Sequence, residues 1–386
     1  MIELLAERIV AGGAALAHDD QGRVVFIDGA LPGERVSVEI TEQRKDFGRA
    51  RLIDVVDRAA DRMTPPCKFV ALGCGGCGWQ HVEPQAQRAL KRGIVIDALR
   101  RIAHLEDANV VDGPPLSATG YRTTVRVAVV DGRAALHIGA SHRLIAVDAC
   151  LVTHPLVDEL FREGRFDGAT EVVLRAGVAT GERLAWPRPA SARLRLPADV
   201  AVGERVSVHE VVAGHRFRIS ARSFFQTRPD GAEALVQAVA DAAGPLAASD
   251  GHLVDAYSGV GLYAATLGSH RPVTAIELDR HALADARTNL AHLATTLVRG
   301  EVARWRAEPA ELVVADPARP GLGPAAATAL AAAGAERFVL VSCDAASFGR
   351  DTRLLEELGY AHEKSTLIDL FPHTPHVEVV SAFVRR

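Results

Sequence analysis

Lysine is almost missing from this chain: Lys45, Lys68, Lys91 and Lys364 are all it has, beside forty arginines. With 44 basic residues against 48 acidic ones the net charge is −4, so bulk charge names no nucleic-acid partner. The arginine bias, together with abundant alanine, reads more simply as the mark of a GC-rich genome than as phosphate binding. Cysteine is scarce too, five in 386 residues, which excludes a disulfide-dense mini-protein. No apolar run approaches the ~18–20 residues of a membrane span; the alanine-rich stretch Ala325–Ala333 is short and follows a Pro-Gly turn. The first residues, MIELLAER, lack the basic start and small-residue cleavage site of a secretory signal. A cytoplasmic protein with no membrane partner is expected, and its thiols then need an explanation other than pairing. What is present is core-forming material: 48% of residues are hydrophobic and 24% charged. At ~100–200 residues per domain the length allows two or three domains.

Residues 1–60 read as short strands and turns. In GRVVFIDGALPGERVSVEI (Gly22–Ile40), β-branched runs are broken at Asp28-Gly29 and Pro32-Gly33, which predicts a small β-barrel of the oligonucleotide-binding type or an ordinary β-domain. Residues 61–220 form a second region. It opens on CKFVALGCGGCGWQH, continues with a helix from about Glu83 to His104 on apolar spacing, and becomes β-rich after residue 118. Between Arg183 and Arg222, eight arginines face only Asp199, Glu204 and Glu210, an excess that suits either a groove for RNA or a solvated sheet face. From residue 221 to 386 helices alternate with apolar strands, which predicts an α/β domain with a doubly wound parallel sheet.

Four blocks carry chemistry. In DAYSGVGLYAA (Asp255–Ala265) a strand ends in a turn whose Gly259 and Gly261 let a ligand approach the backbone, and Glu277 ends the next strand where a carboxylate would hold ribose hydroxyls. NAD and S-adenosylmethionine both fit. The third glycine of the dinucleotide pattern is replaced by alanine, which favours the methyl donor. In VVADPARPGLG, Asp316 follows a strand and faces the same rim, or else begins an Asp-Pro turn. Cys343, in FVLVSCDAASFGRD, also lies just past a strand; it is a nucleophile or a small buried hydrophobe. In DLFPHTPHVEVVSAF, His373, His376 and Glu378 suit a metal or, through Glu378, a general base. Apart from these, Cys67, Cys74, Cys77 and Cys150 offer four thiolates, whose spacing suits zinc or an iron–sulfur cluster.

Together these blocks resemble the S-adenosylmethionine-dependent RNA 5-methyluridine methyltransferases over nearly the whole chain. VVFIDGALPGERV resembles their N-terminal TRAM domain, an RNA-binding β-barrel. CKFVALGCGGCGWQH with VDAC resembles their four-cysteine site, and FFQTRP, DAYSGVG, DPARPG, SCDAASFGRD and FPHTPHVE resemble their methyltransferase blocks in order. The resemblance implies a Rossmann-like class I methyltransferase domain behind a β-rich central domain. It implies a [4Fe-4S] cluster on Cys67, Cys74, Cys77 and Cys150. It further implies donor contacts from Gln226, Tyr257, Gly259, Gly261, Glu277 and Asp316, with Cys343 as nucleophile and Glu378 as base. The expected partner is RNA, ribosomal ahead of transfer, bound by a monomer with the target uridine single-stranded or flipped out and Phe224 a candidate stacking surface. Two departures stand out: Asp344-Ala345 follow Cys343 where Asn-Pro is usual, and Leu262 replaces a polar residue after the second glycine. The rival classes are an iron–sulfur redox protein and an RNA-binding protein without catalysis.

Overall fold

The structure is a computed structural model and describes residues 1–139 and 141–386. The first 57 residues form one six-stranded sheet, in the order Ile2–Leu5, Arg35–Gln43, Phe47–Asp57, Val24–Asp28, Ala15–His18 and Arg8–Ile9. Alternating side chains point inward from its strands, Val36 and Val38 from one and Val25 and Ile27 from another, all but fully buried. The expected barrel is therefore a half-barrel sheet. Its turn at Leu31–Glu34 is fixed by a buried acid. Glu34 accepts hydrogen bonds from the Leu31 N–H (2.8 Å), the Ala59 N–H (3.3 Å) and the Arg62 guanidinium (2.7 Å to Oε2). Although burial raises its carboxyl, these bonds outweigh burial and hold it below the usual carboxylate range.

A second six-stranded sheet, from Leu144–Ala146 through Thr124–Val130 to Val200–Val202, is covered by the helix Pro155–Glu163. The arginine excess of residues 183–222 is partly consumed inside this region. Arg183 pairs with Asp199 and Glu159, Arg195 with Asp167, Arg218 with Asp285 and Arg222 with Glu204. These pairs tie strands to loops and to the next domain, while Arg188, Arg193, Arg195, Arg205 and Arg216 remain exposed, as a solvated sheet face would have them.

The third sheet has eight strands in the order Thr295–Arg299, Val273–Glu277, Leu253–Ala256, Leu312–Ala315, Arg337–Ser342, Val379–Arg385, Tyr360–Leu367 and Val110–Asp112. Its first five strands are parallel, as their near-continuous apolar runs predict. The closing strand, expected in the same parallel sheet, instead runs antiparallel to both of its neighbours. It arrives from the adjacent strand Tyr360–Leu367 through a short connection, and only a longer crossover permits parallel pairing. Two elements of the 61–220 region also join this third sheet. The strand Val110–Asp112 pairs with Tyr360–Leu367, and the helix Pro84–Ile102 packs on the helix Ala345–Glu357. No helix among the described residues is long and apolar enough to cross a membrane.

Replacing Glu34 by alanine leaves the mostly buried Arg62 without its acid, and breaking a buried pair costs up to about 3–5 kcal/mol. Urea unfolding of Glu34→Ala should show a loss of that order in the half-barrel; an unchanged midpoint would mean that the turn is held by its apolar residues alone.

Candidate active site

Parallel α/β sheets bind ligands beyond the carboxyl ends of their strands, and this sheet gathers its chemistry there. The strand Leu253–Ala256 ends in Tyr257, a non-glycine residue at φ +62°, a conformation that persists only where its surroundings enforce it. The turn that follows is pinned from the next strand. The Gly259 N–H donates to Glu277 Oε2 (2.9 Å), and the Asp279 N–H donates to the other oxygen (2.6 Å). Gly261 sits at φ +94°, and a Cβ there would stand 2.9 Å from the Leu290 side chain, so only glycine closes this turn. Leu262 is buried against the core, which explains an apolar residue at that position.

Two groups in this region escaped the sequence reading. Asp255 is fully buried, and its Oδ2 accepts the Ala264 N–H (2.8 Å), tying the strand to the helix that follows the turn. Burial, joined by the nearby Asp316 and Glu277 charges, pushes its carboxyl up to about 8. The Tyr263 hydroxyl reaches Asp316 Oδ2 (3.3 Å). A charge inside the apolar run HLVDAY was the visible signal for Asp255; nothing in the sequence marked Tyr263.

Strand pairing brings the other candidates together. Ser342 pairs with Val379 across the antiparallel ladder, so Cys343 and Glu378 are the next residues outward on adjacent strands. Ala315 pairs with Leu340, which sets Asp316 level with the end of the same strand. The electrostatics reflect this closeness. Burial, then the Glu378 and Asp316 charges, push the Cys343 thiol up to about 11, and the Arg319 guanidinium opposes them. Burial raises Asp316 to about 6, and burial with Asp316 beside it holds Glu378 well above the ordinary carboxylate range. Asp344, the departure next to the thiol, turns its carboxylate into the helix Ala345–Glu357, where it accepts the Ser347 N–H (2.9 Å). Its effect on the thiol is weaker than that of burial, Glu378, Asp316 or Arg319.

The remaining candidates lie elsewhere. Gln226 lines a small crevice with Thr123, Arg175 and Pro229. Phe225 is buried, whereas Phe224 beside it is 69% exposed, so packing does not account for Phe224. His373 turns to Gln87 (3.3 Å) and His376 to Arg319 (3.3 Å), two separate partners rather than one metal. Of the metal-site thiols, Cys67, Cys74 and Cys150 pack against the central core, and burial raises Cys77 to about 11 with Cys150 and Cys74 adding to the rise. Among the described residues, however, no three His, Cys, Asp or Glu side chains are gathered into a set that could hold a metal ion. Local bonds fix the segment otherwise: the Cys74 N–H donates to Phe69 O (2.8 Å) and the Cys150 N–H to Asp158 (2.7 Å). Burial, then the Cys150 and Cys67 charges, raises Cys74 as well, so the four thiols lie within electrostatic reach of one another without forming a ligating set among the described residues.

Comparison with known proteins bears on this arrangement. Residues 2–53 match the TRAM domain. An uncharacterized RNA methyltransferase of Streptomyces coelicolor is 35% identical over 97% of this chain and 90% of its own length. Another from Streptomyces avermitilis is 34% identical over 97% of this chain and 95% of its own. The chain belongs to the RNA methyltransferase family. The crystal structure of Pyrococcus abyssi tRNA (uracil-54, C5)-methyltransferase with S-adenosyl-L-homocysteine shares its fold, with a TM-score of 0.76 at 22% identity, covering 99% of this chain and all of that one. The family resemblance read from the motifs thus holds as far as an RNA methyltransferase, and a redox protein is set aside.

In this RNA methyltransferase the proximity of Cys343 and Glu378 can be read without substrate. Only the thiolate is alkylated, so with the thiol held at about 11 peptide-level iodoacetamide labelling of Cys343 should rise about tenfold per pH unit through the neutral range. Glu378→Gln removes a neighbouring negative charge and should move that profile to lower pH. An unmoved profile would mean that the carboxyl lies away from the thiol or keeps its proton over the pH range read.

Proposed function

We propose that this RNA methyltransferase uses S-adenosylmethionine to methylate C5 of a uridine, through a covalent link between Cys343 and C6 of the base. The observation that carries the reading is the outward pair Cys343 and Glu378 on adjacent antiparallel strands, on the same sheet edge as the turn at Gly259 and Gly261. C5 of uracil is a poor nucleophile. Attack of the Cys343 thiolate at C6 moves the C5–C6 π electrons toward O4, and the resulting enolate makes C5 nucleophilic. When bound, S-adenosylmethionine supplies the methyl group as an electrophile. Glu378 then takes the C5 proton; the C5–H electron pair re-forms the double bond and the C6–S bond breaks, returning the thiolate. Tyr257, Gly259, Gly261, Glu277 and Asp316 at the carboxyl edge are the groups that would hold the donor, and the resemblance adds Gln226. The exposed ring of Phe224 suits stacking on a base drawn out of the RNA.

Ribosomal RNA is the substrate class proposed, because the TRAM domain and the four-cysteine segment occur together here as in the ribosomal members that the sequence resembles. The cluster is a separate part of the proposal. Cys67, Cys74, Cys77 and Cys150 would be its ligands, no step above passes through it, and its role would be structural. Anaerobically purified protein should then carry about four irons per chain; stoichiometric zinc without iron, or no metal, would overturn this part.

The two residues of the pair should fail at different points. Cys343→Ala forms no link to RNA and no product. Glu378→Gln attacks and methylates but cannot release, so it should accumulate a protein–RNA species that survives denaturing electrophoresis and carries label from methyl-labelled donor. Offered ribosomal and transfer RNA lacking 5-methyluridine, it should trap the ribosomal species; trapping of transfer RNA alone would overturn the ribosomal assignment. An active Cys343→Ala enzyme would end the nucleophile assignment, and Glu378→Gln that binds RNA and donor without an adduct would remove Glu378 as the base.

A further inference from the structure

The helix Pro84–Ile102 turns a mixed face to the interior: Gln87 and Lys91, one turn apart, are fully buried along with Ile94, Val95, Ala98 and Leu99. Neither polar residue has a role in the chemistry described above. Both reach across 278 or more positions of sequence to one stretch of chain, the connection that leads into Glu378. Lys91 Nζ donates to Asp369 Oδ1 (2.6 Å) and to the Phe371 carbonyl (2.9 Å). Gln87 Oε1 accepts the His373 N–H (2.6 Å), while its amide donates to the carbonyls of Val82 (2.8 Å) and Trp79 (3.3 Å). The Trp79 N–H closes the ring by donating to the His373 carbonyl (2.8 Å).

This connection has few bonds of its own, chiefly Leu370 N–H to the Ile368 carbonyl (2.9 Å) and the Thr374 hydroxyl to the Phe371 carbonyl (2.7 Å). Its residues lie between two paired strands without a ladder of their own, and His373 stands at φ +65°, a left-handed conformation that must be imposed from outside. Its near end bears directly on the acid, since the Ile368 N–H donates to the Glu378 carbonyl (2.8 Å) and Asp369 follows at once. A grip on Asp369, Phe371 and His373 therefore fixes both the start of the connection and the backbone of Glu378.

A lysine without exposed surface is a poor way to fill a core. It gives up its hydration, and an apolar side chain of similar volume is commonly as stable there. What an ammonium adds is direction, because it must meet its acceptors at fixed distances. We propose that Lys91 and Gln87 are positioning residues for Glu378, holding the 369–373 connection so that the carboxylate meets the C5 proton once the methyl group is in place. This rests on the reading of Glu378 as the base. Burial pulls the Lys91 ammonium down and the Asp369 carboxylate opposes that pull, so the two are held as a pair.

The inference separates from a merely structural role in the step that fails. Displacement of a reacting group by about an ångström can cost about 100-fold in rate, and here the loss should fall on release of the product. Lys91→Met in the full-length protein should lose about 10- to 100-fold in kcat, keep its affinity for donor and RNA, and accumulate the same labelled adduct as Glu378→Gln. The double variant K91M/D369L leaves no unpaired buried charge and should show the same accumulation with fold stability restored; it replaces the single variant if that does not fold. Gln87→Ala should act in the same sense. If Glu378→Gln traps the adduct and neither Lys91 variant does, turnover falling only with the folded fraction, the positioning role is overturned while the base stands. If Glu378→Gln itself traps nothing, the reading of the base falls and this inference falls with it.

Discussion

When the last strand, Val379–Arg385, enters the sheet between Arg337–Ser342 and Tyr360–Leu367, it runs against both neighbours, and that reversal brings its first residues to the edge where the parallel strands end. A parallel strand in the same place would send Glu378 to the opposite edge. The whole electrostatic character of the site follows from this one pairing. Cys343 and Asp316 arrive at the rim from strands running one way and Glu378 from a strand running the other, and the three meet where little water remains to separate their charges.

The cost of bringing acids together in a dry place is visible in their protonation. Asp316, Glu378 and the more deeply set Asp255 are all held above the ordinary carboxylate range, chiefly by burial. Neighbouring elements accommodate these groups. Tyr263 gives Asp316 a hydrogen-bond partner, the Ala264 N–H does the same for Asp255, and the negative end of Asp344 is absorbed by the helix that it caps. Carboxyls with raised proton affinities keep their protons until something changes the local field.

The connection before Glu378 is also where the parts of the chain meet. Gly13 of the half-barrel lies so close to Pro375 that a Cβ would stand 2.5 Å from that ring, and the Trp79 indole donates to the Gly13 carbonyl (3.3 Å). Tyr121 of the central region reaches the Pro372 carbonyl (3.5 Å), and the buried Arg228 lies over the Tyr121 ring (4.3 Å). The half-barrel, the cysteine-rich segment and the central region therefore all bear on the residues beside the rim, which makes the site a property of the assembled chain rather than of the α/β domain alone.

How much of this could be read beforehand depends on the range of the interaction. The strand–turn–helix at Gly259 and Gly261 and the helix beginning near Glu83 were legible because turn chemistry and apolar spacing act within a few residues. The same local signals marked Asp316, Cys343 and Glu378 as strand-end residues. The arginine excess of residues 183–222 left the pairing undecided, because composition counts charges and not the acids that fold back to meet some of them. The cysteine spacing named four thiols, and the tertiary structure brings them within electrostatic reach of one another without a ligating set among the described residues. The direction of the closing strand, the meeting of Cys343 with Glu378 and the service of Gln87 and Lys91 to a connection 278 or more positions away were decided only by the tertiary structure. The physical reason is that a strand's neighbour and a buried lysine's acceptor are chosen by closure of the whole sheet, whereas the sequence by itself determines the elements and the chemistry that each one carries to its end.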